Sequence, residues 1–357
     1  MLNYVNNRAD PKAWARRVGV SDEAIAIYQA SDVIDLHVDT TVPMRILGYD
    51  AQHRHRARIP GSPMINHVDL PRLREACVTG VVWDLPTNPL RTSAGRVRTA
   101  TRNLRNQKVL FERNSDEFQL VRSASDYQEA LESGRTAVWL SIQGGQAFDH
   151  GLEALDAVPA GLLHRITLVH FTTSRIGVSN ALKGKGYVGL SSFGKAFVRR
   201  MDQLKIIVDL AHINRAGFFD AVKAHDPSLP LIVSHTGVDG VRPLWRNIGD
   251  DQIRAVAETG GTVGIIFNPS FLAPVFYTCL SARIVDHMEH VINVVGDDFV
   301  SLGSDFDGAI TLPRDMIDVT EMPRLVQEML YRGWSSERIA KILGGNYLRV
   351  VRMIHGE

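Results

Sequence analysis

The sequence predicts an α/β protein of the (β/α)8, or TIM-barrel, class. Three observations predict it: eight short apolar runs, amphipathic stretches between most of them, and polar residues gathered where the runs end. Strands of a parallel sheet are covered by helices on both faces, so they read as continuous apolar runs rather than alternating ones. The runs are VIDLHVD (33–39), VTGVVWDL (78–85), TAVWLSIQ (136–143), RITLVHF (165–171), KIIVDLAH (205–212), PLIVSH (230–235), TVGIIFN (262–268) and FVSLGSDFD (299–307).

Between them, 191–204, 249–261 and 284–296 are the clearest helices, and the last two end at glycine, as a helix C-terminus often does. Segment 48–66 is too long and polar for a simple turn and is expected to form an active-site loop after the first strand. Segment 91–114, rich in Arg and Asn, carries no clear pattern. An open doubly wound sheet is the alternative fold, but no GxGxxG follows any strand. No linker, low-complexity tract or short repeat divides the chain. A single domain over 1–357 with an N-terminal helical extension to about residue 30 is expected.

Composition narrows the partners. Forty Lys and Arg against thirty-nine Asp and Glu leave a net charge of +1, which gives no reason to expect nucleic acid or an anionic membrane. The N-terminus lacks the apolar core of a signal peptide, and no stretch approaches the roughly 18 apolar residues of a membrane span. Cys77 and Cys279 are too few for a disulfide framework or a thiolate metal cage. A cytoplasmic protein is expected.

The strand ends supply, in order, His37 and Asp39, Asp84, Gln143, His170, His212, His235, Asn268, then Asp305 and Asp307. In a barrel these ends converge on one face, where catalytic groups are placed. One histidine after a strand is more simply a hydrogen-bonded structural residue; four strand ends offering His, one of them in a His–Asp pair, and a fifth offering two Asp are hard to explain that way. His37 and Asp39 are two residues apart, so on a strand they share a face. Imidazole and carboxylate suit Zn²⁺, Mn²⁺ or Fe²⁺, although HxD alone describes a buried hydrogen bond equally well. His212 and His235 end neighbouring strands and could ligate together. His170 could ligate or hold substrate. Asp305 could take a proton from water activated by metal, whereas Asp307 reads as a turn residue before Gly308.

With these residues in view, HVD at the first strand, GG after the third, DLAH, IVSH, WRN, GSDFDG and GGNYLRV make the chain resemble the membrane (renal-type) dipeptidase family, peptidase family M19. These are zinc enzymes with a barrel of the metallo-dependent hydrolase type. The likeness runs through nearly the whole chain, including 69–76, 189–201 and 342–352. It implies that His37 and Asp39 hold one metal and His212 and His235 another. His170 would stabilise the oxyanion, Arg246 would bind the free carboxylate of a dipeptide, and Asp305 would orient the water and shuttle its proton. A surface salt bridge is the plainer role for Arg246. The resemblance also implies one or two Zn²⁺ ions, a small dipeptide-like substrate and a homodimer.

One departure stands out. The family pattern at the third strand is EGG, with glutamate bridging both metals, and this chain has Gln143. An amide oxygen can ligate but is neutral, and its nitrogen is a donor, so it bridges poorly. FTTSRIGVSN (171–180) and TGVDGV (236–241) also differ from the family and would line the pocket. Three readings follow: a metal-dependent hydrolase of dipeptides or related small amides; a mononuclear-metal tailoring enzyme, lyase or isomerase; and a non-catalytic binder of small carboxylates.

Overall fold

The computed structural model describes residues 2–55, 64–181 and 188–356. Part of the 48–66 loop, residues 56–63, therefore lies outside the described residues. Among the described residues nine strands form: β1 (Ile34–Val38), β2 (Gly80–Pro86), β3 (Phe118–Leu120), β4 (Thr136–Gln143), β5 (Arg165–Thr167), β6 (Ile207–Asp209), β7 (Ile232–Thr236), β8 (Thr262–Ile265) and β9 (Val300–Leu302). All pairings between them are parallel. Eight strands close a barrel in the order β1, β2, β4, β5, β6, β7, β8, β9 and back to β1.

The ninth strand, β3, was not among the eight apolar runs. It pairs only with the first residues of β4, Thr136–Val138, on the edge that β5 joins further along, at Ser141–Gln143. Three residues of mixed polarity carry too little apolar signal to be read as a strand.

Several strands are shorter than the runs that announce them. The run 205–212 pairs only over Ile207–Asp209, and 299–307 only over Val300–Leu302. The physical reason lies in the backbone beyond each strand. His212, Asp305 and Asp307 have φ of +66°, +64° and +64°, left-handed values that end a strand.

The expected helices are present as Ser192–Gln203, Asp250–Glu258 and Ala282–Val295. Segment 91–114 forms a 20-residue helix, Ser93–Glu112, whose N-terminus is capped by the Thr92 hydroxyl accepting from Gly95 N–H at 3.2 Å. Its buried residues, Ala100, Leu104, Gln107 and Phe111, fall at helical spacing, but the stripe is narrow and surrounded by Arg and Asn. Two further helices, Pro11–Val18 and Asp22–Ala30, precede β1. Trp14 and Tyr28 meet edge to face at 5.6 Å between them, and the Trp14 indole donates to the Thr320 carbonyl at 3.1 Å. No helix among the described residues is long and apolar enough to cross a membrane.

Nearer the strand starts, Val82, Trp139, Ile207 and Ile232 form an apolar cluster with Tyr347 and Val351 of the C-terminal helix Asn346–His355. Higher up, two glycines make room for the backbone of β7. A Cβ on Gly264 or Gly303 would fall 2.0 or 1.9 Å from the Ser234 carbonyl oxygen. That approach brings Ser234 and His235 to the barrel's centre. Gly303→Ala is expected to destabilise the protein by about 1–3 kcal/mol, the usual cost of forcing atoms into a packed core. Urea denaturation measures this, and an unchanged midpoint would mean that β7 can step aside freely.

Candidate metal centre

The strand ends bring His37, Asp39, Gln143, His212, His235 and Asp305 to one buried place. Around His37 Nε2 stand Gln143 Nε2 at 3.2 Å, Asp39 Oδ2 at 3.5 Å and Asp305 Oδ1 at 3.5 Å. The His37 and His235 rings stack with centroids 3.8 Å apart. His212 Nε2 lies 2.9 Å from His235 Nε2 and 3.3 Å from Gln143 Nε2. Ligand atoms of His37, His235 and Asp305 fall within 4.8 Å of one another, as do those of His37, Asp39 and Asp84.

The hydrogen bonds behind the histidines decide which way their lone pairs point. Asp209 accepts from the Ser234 hydroxyl at 2.6 Å, so the hydroxyl's one proton is used. His235 Nδ1, 2.8 Å from that oxygen, must therefore be the donor, and in neutral His235 the lone pair sits on Nε2. His37 Nδ1 lies 2.8 Å from the Asp84 carboxylate and gives its proton there, which in the neutral ring likewise leaves Nε2 open to the centre. Two imidazole lone pairs thus face inward beside a third ring, with buried Asp39 Oδ1 and Gln143 Oε1 lacking any hydrogen-bond partner. A protein interior seldom tolerates such an arrangement without a cation.

The titration behaviour keeps His212 and His235 neutral, whereas His37 holds an extra proton that a cation must displace before its Nε2 lone pair is free. Burial holds His212 and His235 well below the ordinary imidazole value, aided by the charges of Arg246 and His37 respectively, so both remain neutral ligands. Burial also works to lower His37, but Asp39 and Asp84 overcome it and raise it to about 10. These carboxylates favour positive charge at this spot. Asp305 is pushed well above the carboxylate range by burial, with Asp39 adding to it while His37 and Arg246 oppose. The donor set of imidazole nitrogens and carboxylate oxygens, with no thiolate, fits a borderline divalent ion.

A buried polar layer beneath the centre ties the two histidines together. Arg165, fully buried, contacts Asp84, bonds Asp209 at 3.0 Å and reaches the Ser141 hydroxyl at 3.0 Å. The path therefore runs from His37 through Asp84, Arg165, Asp209 and Ser234 to His235. Asp84 was visible as a strand end; Arg165, Asp209 and Ser234 were not singled out. The signal available was a charge inside an apolar run, which must find a partner to be buried at all.

The remaining sequence candidates are also near the centre. His170 packs edge-on against His212 at 4.7 Å, and burial followed by the charge of His37 lowers it to about 3. Arg246 is 2% exposed and has no carboxylate partner among the described residues, so it is not a surface salt bridge. It donates to the His235 carbonyl at 3.0 Å and lies 5.8 Å from the Phe271 ring. Burial lowers it to about 10, against the pull of Asp305. Asp307 is more than a turn residue: it is fully buried, accepting from His67 N–H at 2.7 Å and the Thr40 hydroxyl at 2.8 Å. Asp149 is engaged by Arg96 at 2.6 Å and offers no substitute for a charge at position 143.

The sequence model of the membrane dipeptidase family (peptidase family M19) matches residues 21–356. The chain belongs to this family. As an M19 member it is a hydrolase of metallopeptidase type, from a family whose dipeptidases depend on metal. Similar solved structures include a metallopeptidase from Rhodobacter sphaeroides bound to a phosphinate mimic of L-Ala-D-Ala. It shares 24% identity and a TM-score of 0.77, over 91% of this chain and 99% of that one. A dipeptidase described as a family M19 metallopeptidase shares 24% identity and a TM-score of 0.78, over 92% and 99%. The probable dipeptidase PvdM from Pseudomonas aeruginosa shares 17% identity and a TM-score of 0.79, over 95% and 98%. At these identities the likeness speaks to the fold.

In this M19 protein, Arg165→Met should leave the buried carboxylates of Asp84 and Asp209 without the guanidinium between them. A loss of about 3–5 kcal/mol in unfolding free energy is expected by chemical denaturation. A loss below 1 kcal/mol would show that the two carboxylates do not depend on the guanidinium.

Proposed function

We propose that the protein hydrolyses dipeptides or closely related small amides that carry a free carboxylate, using one or two bound zinc ions. The observation that carries this reading is the pair of imidazole lone pairs, on His37 and His235, aimed at one buried point beside Asp39, Asp305 and His212. His37 and Asp39 would hold one ion and His212 and His235 another, with the Gln143 amide oxygen between them. Zinc in such a site supplies a polarised carbonyl and a water acidic enough to attack near neutral pH.

The chain's own groups take the other roles. Arg246 is a buried guanidinium without a carboxylate partner among the described residues, and its planar fork matches the carboxylate of a dipeptide's C-terminus. His170, kept neutral by burial, offers an N–H to the oxygen of the scissile carbonyl as negative charge grows on it. Asp305 borders the cluster and, once bound cations draw its carboxyl back to the ionised form, would accept the proton of the attacking water and return it to the leaving amine. Burial excludes bulk water from this exchange and strengthens each of these contacts.

Gln143 favours a second reading, a mononuclear Lewis-acid enzyme of the lyase or isomerase type. A carboxylate between two dications offsets part of their repulsion; an amide does not. Metal per chain after loading with zinc or manganese, together with amino-acid release from a dipeptide panel, separates the readings. Release of amino acids that stops on chelation and returns with zinc supports the hydrolase. One ion per chain and no release from any dipeptide would sink it.

Two variants sharpen the assignment. Gln143→Glu is expected to raise metal content towards two per chain by restoring a bridging charge. Unchanged metal content and unchanged turnover would show that position 143 is not a ligand position. Arg246→Gln removes a charge-assisted pair worth roughly 2–3 kcal/mol and should raise KM by about 30- to 150-fold with kcat less affected. An equal fall in kcat with unchanged KM would contradict a carboxylate-binding role.

A further inference from the structure

The rim of the barrel carries a second polar cleft outside the His–Asp cluster. It encloses about 560 Å³ between the helix Thr41–Leu47, the turn after β2 and the helix Ser93–Glu112. That volume is in the range of small-molecule sites. Arg45, Arg91 and Arg102 line it, with Thr87, Asn88 and Asn103, and no acidic residue among its lining. The local sequence explains the bias. Between residues 85 and 111 stand Arg91, Arg96, Arg98, Arg102, Arg105 and Lys108, and not one Asp or Glu.

Two arginines that the structure pairs with carboxylates set these three apart. Arg96, next to them, is held by Asp149 at 2.6 Å, and Arg165 lies between two carboxylates. Arg45 donates to the Pro86 carbonyl at 2.8 Å, but neither it nor Arg91 nor Arg102 forms an ion pair among the described residues. Burial, and then the charges of Arg91 and Arg102, hold Arg45 below the ordinary guanidinium value. On an open face, long basic side chains spread apart and water screens their repulsion. Here all three are exposed, so water screens part of that repulsion, but they line one concave space in which an anion can meet all three charges at once.

We propose that this cleft binds a small molecule carrying at least two phosphate or carboxylate groups. Guanidinium forks pair with either anion through two parallel hydrogen bonds, and three of them around one space match more than one acidic group. Asn103 and Asn88 add neutral donors to the same lining. The floor of the cleft also connects to the metal centre. Thr87 N–H donates to the Gln143 carbonyl at 2.9 Å, and the Thr87 hydroxyl to the Gly144 carbonyl at 2.8 Å. The proposal does not depend on the hydrolase reading, because the site lies outside the metal-ligating residues.

The test is calorimetric titration of the full chain with pyrophosphate and, separately, with propane-1,2,3-tricarboxylate, at constant ionic strength. The native protein, the double variant R45Q/R102Q and Arg246→Gln are compared, each first shown to unfold cooperatively. Saturable binding of one anion per chain is expected in the native protein and in Arg246→Gln, weakened at least tenfold in R45Q/R102Q. Tighter pyrophosphate binding identifies a phosphate ligand; tighter tricarboxylate binding identifies a polycarboxylate. Equal affinity in native protein and R45Q/R102Q, loss in Arg246→Gln, or no binding of either probe overturns the proposal. Should R45Q/R102Q fail to fold, R91Q/R102Q takes its place with the same expected outcome.

Discussion

The arrangement of the centre depends on one buried guanidinium. Arg165 has no exposed surface and sits between Asp84 and Asp209, each of which in turn holds the back of a histidine, Asp84 directly and Asp209 through Ser234. Burying an arginine in isolation would be prohibitive; between two carboxylates, the net charge of the trio is negative. That residual negative charge favours a cation above it. The same contacts fix which nitrogen of each imidazole carries hydrogen, so tautomer choice is settled by the layer below. Five strands, β1, β2, β5, β6 and β7, are locked together by this layer. Barrel geometry and ligand orientation are therefore one constraint rather than two.

The barrel itself was legible because parallel strands buried on both faces cannot hide their apolar character. Each of the eight runs contains a strand of the closed sheet, and the polar residues at their ends do meet. What the sequence did not disclose was short or masked. Phe118–Leu120 is a three-residue strand, and Ser93–Glu112 is a long helix whose buried stripe is thin beneath its arginines. Among the residues that meet at the candidate centre, His37, Asp39, His212, His235 and Asp305 could be picked out from spacing and from the family motifs. Arg165 was not, because it opens its apolar run and reads as the residue that precedes a strand. The backbone was equally hidden: nothing in DLAH or GSDFDG announces that His212 and Asp305 turn left-handed, at a strain of roughly 1–3 kcal/mol each. That strain aims both side chains back over the barrel mouth, where a continuing strand would carry them past it.

Gln143 shows how a single atom exchange changes the physics of such a place. The amide occupies the same outline as a glutamate and makes the same approach to His37 and His212, at 3.2 and 3.3 Å. Its NH₂ group satisfies imidazole lone pairs when facing them, and its oxygen serves a cation when turned about. The residue can thus support the centre in either condition, with less attraction for positive charge than a carboxylate would bring. Electrostatic pull then falls more heavily on Asp39 and Asp305, both already raised by burial.

The ninth strand has a meaning beyond its length. Strands in a closed barrel are staggered, so β5 reaches β4 only at Ser141–Gln143, and the first turns of β4 would present bare amides and carbonyls on that side. β3 pairs with Thr136–Val138 and covers them. An uncovered parallel edge is a template onto which another chain can add. The short segment thus protects the barrel against self-association at its base, far from the chemistry, and leaves the opposite rim free to vary with ligand.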